Sequence, residues 1–139
     1  MNHEVIYFHE FVNLFSGKSG SGKSTAMDAM QVVLYGSIAS DFLNKAADDT
    51  KNKRSVLSYL RGEQKDGSAN REDQDFYAQI VLELEDTGTQ THSCIGVTFE
   101  VGHADQDLRK YYFFSHAGKF PEDDYLGADG LPYSTAQIR

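Results

Sequence analysis

Between Phe76 and Glu85 the chain alternates. Phe76, Ala78, Ile80, Leu82 and Leu84 fall on one side of an extended backbone, and Tyr77, Gln79, Val81, Glu83 and Glu85 fall on the other. A period of two predicts a half-buried strand. Two further apolar segments follow, His92 to Val101 and Leu108 to Ser115, set off by Asp86-Thr87-Gly88 and by Gly102-His103-Ala104-Asp105. Connections this short predict an antiparallel meander over residues 76–116.

Upstream the pattern changes. Val5-Ile6-Tyr7-Phe8 and Val12-Asn13-Leu14-Phe15 read as two short strands joined through His9-Glu10-Phe11. From Lys23 to Tyr35 the apolar spacing becomes three and four, with Met27, Met30, Val33 and Leu34, which predicts a helix closed by Gly36. Residues 37–75 read as a helical and loop insertion. A helical turn is expected around 42–47, and a second short helix through Val56, Leu57 and Leu60 stops at Gly62; 63–75 is a polar loop. The tail, 117–139, carries Gly118, Pro121, Gly127, Gly130 and Pro132 and reads as irregular. The expected organisation is one partial domain over 1–139, with a strand hairpin, loop and helix in 4–36.

The six residues Gly17-Lys18-Ser19-Gly20-Ser21-Gly22 hold three glycines between the second strand and the helix. With Lys23 and Ser24 they fit G-x-x-x-x-G-K-[ST], the Walker A phosphate-binding loop. The chemistry accounts for each position. Backbone N–H groups must face the phosphates without obstruction, and a helix N-terminus adds free donors and a favourable dipole. Lys23 supplies a point charge to the β- and γ-phosphates, Ser24 a hydroxyl for Mg²⁺, and Thr25 a hydroxyl near the α-phosphate. The nucleotide-binding residues expected are therefore Gly17, Ser19, Gly20, Ser21, Gly22, Lys23, Ser24 and Thr25, with ATP and Mg²⁺ as cofactors. Lys18 reads as a surface lysine.

Hydrolysis needs more. An acid after four apolar residues on a neighbouring strand has its best counterpart in Ile80 to Asp86, but Glu83 interrupts that run, and no L-S-G-G-Q-like signature occurs. The chain reads as half of an active site.

Composition narrows the partners. There are 13 Lys and Arg against 21 Asp and Glu, so the formal charge is 13 − 21 = −8. Such a chain lacks the positive field that draws in nucleic acid regardless of sequence. No apolar run approaches the roughly 20 residues of a membrane span, and the start of the chain has no signal-peptide pattern. A lone cysteine, Cys94, excludes an internal disulfide and reads as a small core residue in a reducing, cytoplasmic setting. The five histidines show no metal-ligand spacing, and Glu122-Asp123-Asp124 reads as a solvated loop. The run Tyr111-Tyr112-Phe113-Phe114 could stack bases, but without a basic groove it reads as core.

NLFSGKSGSGKSTAMDAMQVVLYG, from Asn13 to Gly36, resembles the N-terminal ATPase segment of the SMC superfamily. The following FLNKAADDTKNKRSVLSYLRG, from Phe42 to Gly62, is similar to the MukB-type branch of bacterial condensins and plasmid-defence (Wadjet-type) complexes. Ser19 stands where many members have Asn, and no glutamine falls in the frame of the family's Q-loop.

The resemblance implies an α/β P-loop NTPase fold, the N-terminal lobe of an ABC- or SMC-type head, with a mixed sheet that includes the meander. It implies an ATPase completed by a C-terminal lobe of the same protein, which carries the signature motif and Walker B. It further implies a second head in a homodimer, and DNA contact only through the full-length assembly. Cytoplasmic and nucleoid-associated location, with no membrane partner, goes with it. Tyr59-Leu60-Arg61-Gly62 resembles the family's L-R-G, which makes Arg61 a candidate stimulatory arginine beside Lys23. The other reading of Arg61 is a cation ending a short helix, and Arg54 competes for the same role. Two other functions compete: a small P-loop kinase, which needs βαβ units and a parallel sheet, and a non-catalytic nucleotide-binding or interaction module.

Overall fold

The structure is a computed structural model that describes residues 4–35, 56–63, 67–71, 74–103, 108–115 and 126–138. The expected cap at Gly36, the helical turn at 42–47, the competing Arg54 and the acidic run 122–124 lie outside these residues.

The meander forms as its alternation predicts. Strand β1 (Phe76–Asp86), β2 (Thr91–Val101) and β3 (Arg109–Ser115) make one antiparallel sheet in the order β1-β2-β3. Its register places Ala78 opposite Phe99, Ile80 opposite Val97 and Leu82 opposite Ile95, so the apolar side of β1 meets the apolar side of β2. On this face sits the core of Val97 and Phe99, packed against Val32 and Val33 of helix α1 (Lys23–Tyr35). Burial of such side chains stabilises by about 1.5–3 kcal/mol each.

The first hairpin closes differently from its sequence pattern. Asp86-Thr87-Gly88 contains the obvious flexible residue, yet the left-handed conformation falls on Gln90, at φ 55°. Asp86 explains this. Its Oδ1 accepts from the backbone N–H of Gly88 at 2.9 Å and of Thr89 at 3.2 Å, and Gln90 N donates to the Asp86 carbonyl at 2.7 Å. The side chain organises the turn, and the closing residue takes the strain.

β2 is buried on both sides. Val97, Phe99 and Val101 face α1, whereas Cys94 and Thr98 on the other side have no exposure either. The second side is covered by 126–138. Thr98 Oγ1 donates to the Tyr133 carbonyl at 3.0 Å, and the short helix α3 (Thr135–Ile138) packs on β2 and β3. Part of the tail that reads as irregular is therefore ordered. Leu126 bridges to Pro132, and Gln137 Oε1 accepts from both the N–H and the hydroxyl of Ser134, capping α3.

Helix α2 (Val56–Arg61) ends as expected at Gly62, whose φ is +68°. Gly62 N donates to Tyr59 O at 3.1 Å and Glu63 N to Ser58 O at 3.0 Å, the paired bonds of a Schellman cap. The following polar loop turns back on α2: Glu63 bridges Ala69, and Arg71 Nη1 donates to Leu60 O at 3.0 Å.

One expectation is corrected. Residues 5–8 and 12–15 do not form strands. The chain does reverse between them. Asn13 clasps His9, accepting from its N–H at 2.6 Å and donating to its carbonyl at 2.8 Å, and the rings of Phe8 and Phe15 meet at 6.0 Å. A strand, however, needs a hydrogen-bonded neighbour, and this arm has no ladder among the described residues. Its apolar side chains remain in solvent, with Val12 79% and Leu14 89% exposed. The sheet of the described residues is correspondingly antiparallel throughout, without the parallel pairing of a mixed sheet.

Candidate nucleotide-binding site

Residues 17–25 are the hinge between the open arm and α1. The loop needs glycine at two kinds of position. Gly20 and Gly22 take φ of 82° and 86°, values that a side chain disfavours. Gly17, at φ 154°, is also outside the range side chains favour, and a Cβ there would stand 2.7 Å from Ser21 Oγ, which would have to turn aside.

Gly22 is also where α1 begins. Its carbonyl accepts the first helical bond, from Ala26 N at 3.0 Å. The N–H groups of Gly22, Lys23, Ser24 and Thr25 therefore precede the intrahelical ladder. None of these four has an acceptor among the described residues. They form a set of backbone donors at the positive end of a 13-residue helix.

Lys23 folds back over the loop. Its Nζ donates to the carbonyls of Gly17 and Lys18, each at 2.8 Å, and to Ser21 Oγ at 3.2 Å. Ser21 N in turn donates to Lys18 O at 3.2 Å, closing the ring of backbone that surrounds the ammonium. Lys18 thus contributes its carbonyl, a role that no side-chain motif reveals. The Ser24 hydroxyl is exposed on the first turn of α1, and Thr25 is exposed beside it.

These residues fit a nucleotide phosphate. Four backbone donors, a helix N-terminus and one ammonium lie within a short segment, and among the described residues nothing beyond the chain neighbours comes within 4 Å of where a Cβ of Gly20 or Gly22 would stand. The exposed Ser24 hydroxyl could hold Mg²⁺ beside such a phosphate.

Arg61 stands apart. Its Nη2 donates to the carbonyl of Gly102, just past the end of β2, at 3.1 Å. No hydrogen bond or ion pair among the described residues links it to the loop. The structure thus uses Arg61 to tie the end of α2 to the sheet. Asp28, one turn beyond the loop, is buried. Gln137, the late glutamine of the tail, is engaged in the cap of α3.

Away from the loop, a cleft of about 230 Å³ opens at the start of β1, lined by Asp75, Tyr77, Glu100 and Arg109. Arg109 pairs with Glu100 at 3.3 Å, and His103 donates its backbone N–H to Asp75 at 2.8 Å. That backbone bond, supported by the His103 ring, holds the Asp75 carboxyl below its ordinary range.

Comparison with known proteins agrees with the loop geometry. The family described as the P-loop containing region of AAA domain matches residues 1–50. No curated protein and no solved structure matches the chain. The matched span contains the open arm, the glycine loop and α1, so the likeness to a P-loop region falls on the part of the chain that carries the glycine loop.

Proposed function

We propose that the chain is the Walker A lobe of an SMC-like ATPase, binding ATP with Mg²⁺ through residues 17–25. The observation that carries this reading is the set of four N–H groups, from Gly22 to Thr25, left without acceptors among the described residues beside the Lys23 ammonium. Phosphate is the ligand such an arrangement suits. In this reading Gly17, Ser19, Gly20, Ser21 and Gly22 supply the backbone cradle, Lys23 neutralises charge on the β- and γ-phosphates, Ser24 ligates Mg²⁺ and Thr25 steadies the α-phosphate.

The composite nature of the head is supported by two features. The arm preceding the loop is rich in exposed apolar side chains and has no ladder among the described residues. Helix α1 is apolar on two sides: Val32 and Val33 cover the meander, while Met27 and Leu34 are 47% and 58% exposed. Apolar positions on a second side of a helix suit a further packing partner there. A C-terminal lobe of the same protein would supply the missing strands, the signature motif and Walker B. Two such heads would enclose ATP, and DNA would be engaged through the full assembly, in chromosome organisation, defence or repair, in the cytoplasm and at the nucleoid. Arg61 would reach phosphate only after release from Gly102 in the engaged head.

Kinase activity is less well supported, since the strands after α1 among the described residues are all antiparallel. The test is hydrolysis by complementation. Mixing the chain with a C-terminal head lobe should produce ATP turnover that neither shows alone and that Lys23→Ala abolishes. Turnover indifferent to Lys23→Ala would remove the proposal.

A further inference from the structure

We infer that the Ser21 hydroxyl is a placeholder for a phosphate oxygen. It holds the third proton of the Lys23 ammonium and is displaced when a phosphate enters. The inference rests on the phosphate-binding reading of the loop and specifies how the loop manages its lysine.

An ammonium has three N–H donors and no acceptor. For Lys23 all three are engaged within the loop: two by the backbone carbonyls of Gly17 and Lys18, one by Ser21 Oγ. A phosphate oxygen can be bound by Nζ only if one of these acceptors gives way. The two carbonyl bonds are 2.8 Å, the ordinary length for a charged donor, and belong to backbone fixed by the loop. The bond to Ser21 is longer, 3.2 Å, and ends on a hydroxyl that can rotate away. The hydroxyl is therefore the acceptor that yields. Ser21 Oγ and an incoming phosphate oxygen compete for one N–H.

The sequence makes room for this contact. Ser21 Oγ lies 2.7 Å from where a Cβ of Gly17 would stand, so a side chain at 17 would push the hydroxyl from its present place beside Lys23. Position 21 is an unrestricted position in the phosphate-loop pattern, so the pattern does not itself call for a hydroxyl there. Ser21 is thus a positioning residue, acting through Lys23.

The direction of the effect separates this role from others. A bond made by the nucleotide-free protein and lost on binding lowers affinity, so Ser21→Ala should bind MgATP more tightly, by about two- to tenfold for one hydrogen bond. A hydroxyl that instead contacts bound phosphate would give weaker binding on removal. A hydroxyl that serves only loop structure would leave Lys23 itself unchanged.

The experiment uses the whole chain as wild type, Ser21→Ala and Ser21→Thr. Titration calorimetry gives MgATP affinity, and the rate of Lys23 acylation, followed by peptide mass spectrometry without nucleotide, gives the freedom of the ammonium. The expected result is tighter MgATP binding and faster acylation in Ser21→Ala, with Ser21→Thr restored to wild-type behaviour in both. Equal or weaker binding by Ser21→Ala, or an unchanged acylation rate, overturns the inference while leaving nucleotide binding by the wild type intact. Absence of saturable MgATP binding by the wild type overturns the nucleotide reading and this inference with it.

Discussion

The ring of Phe113 lies across Gly96, in the space that a side chain at 96 would fill. The two residues are register partners on β2 and β3, on the side of the sheet away from α1. Glycine here is a packing residue, because its backbone is not in the left-handed region. Gly96→Ala should destabilise the protein by about 1–3 kcal/mol through overpacking. Denaturant unfolding measures it, and a smaller aromatic-to-aliphatic partner, Phe113→Leu, should recover part of the loss. A Gly96→Ala protein as stable as wild type would mean that the ring moves aside freely.

Arg61 offers a separation of roles. Its guanidinium holds the Gly102 carbonyl in a partly buried site. Arg61→Ala should cost about 1–3 kcal/mol of stability, the usual scale for a hydrogen bond from a charged group. It should leave the MgATP affinity of this chain unchanged, since the guanidinium does not reach the loop here. Paired unfolding and calorimetric titrations check both halves, and a loss of affinity with unchanged stability would contradict them.

What the sequence makes legible follows from what is local. The glycine loop, the start of α1 at Gly22 and the stop of α2 at Gly62 depend on residues within a few positions of one another, and all are read directly. The meander is legible because alternation in β1 fixes which side meets Val97 and Phe99. The arm is misread because Val5 to Phe8 and Val12 to Phe15 have strand composition, whereas a strand also needs a neighbour that no local pattern supplies. Likewise α1 could turn several apolar sides inward, and packing chose Val32 and Val33 over Met27 and Leu34. At the site, the four N–H donors and Lys23 were visible in the motif. The Lys18 carbonyl and the Ser21 hydroxyl were not, because they act through positions where the motif allows any residue.

The hairpin joining β1 to β2 should be sensitive to acid. Hydrogen bonds from the backbone N–H of Gly88, and then of Thr89, hold the Asp86 carboxyl below its ordinary value of 3.8. A carboxylate favoured in the folded state contributes stability fully above that ordinary value. The contribution is lost as pH falls through the lower folded value, when the group protonates. In Asp86→Asn the amide oxygen can still accept but no longer titrates, so stability should fall less steeply below 3.8. Asp75, held down by His103, adds its own slope to both proteins. Unfolding midpoints across a descending pH series decide the matter, and identical slopes would contradict the assignment.

The claim at the centre is that residues 17–25 bind nucleotide phosphate through Lys23 and the amides of the α1 N-terminus. Isothermal titration of MgATP into wild type and Lys23→Ala tests it most directly. Saturable binding by the wild type is expected, with a loss of about tenfold or more in Lys23→Ala, the scale of a charged hydrogen bond to phosphate. Equal heats from the two proteins would contradict it.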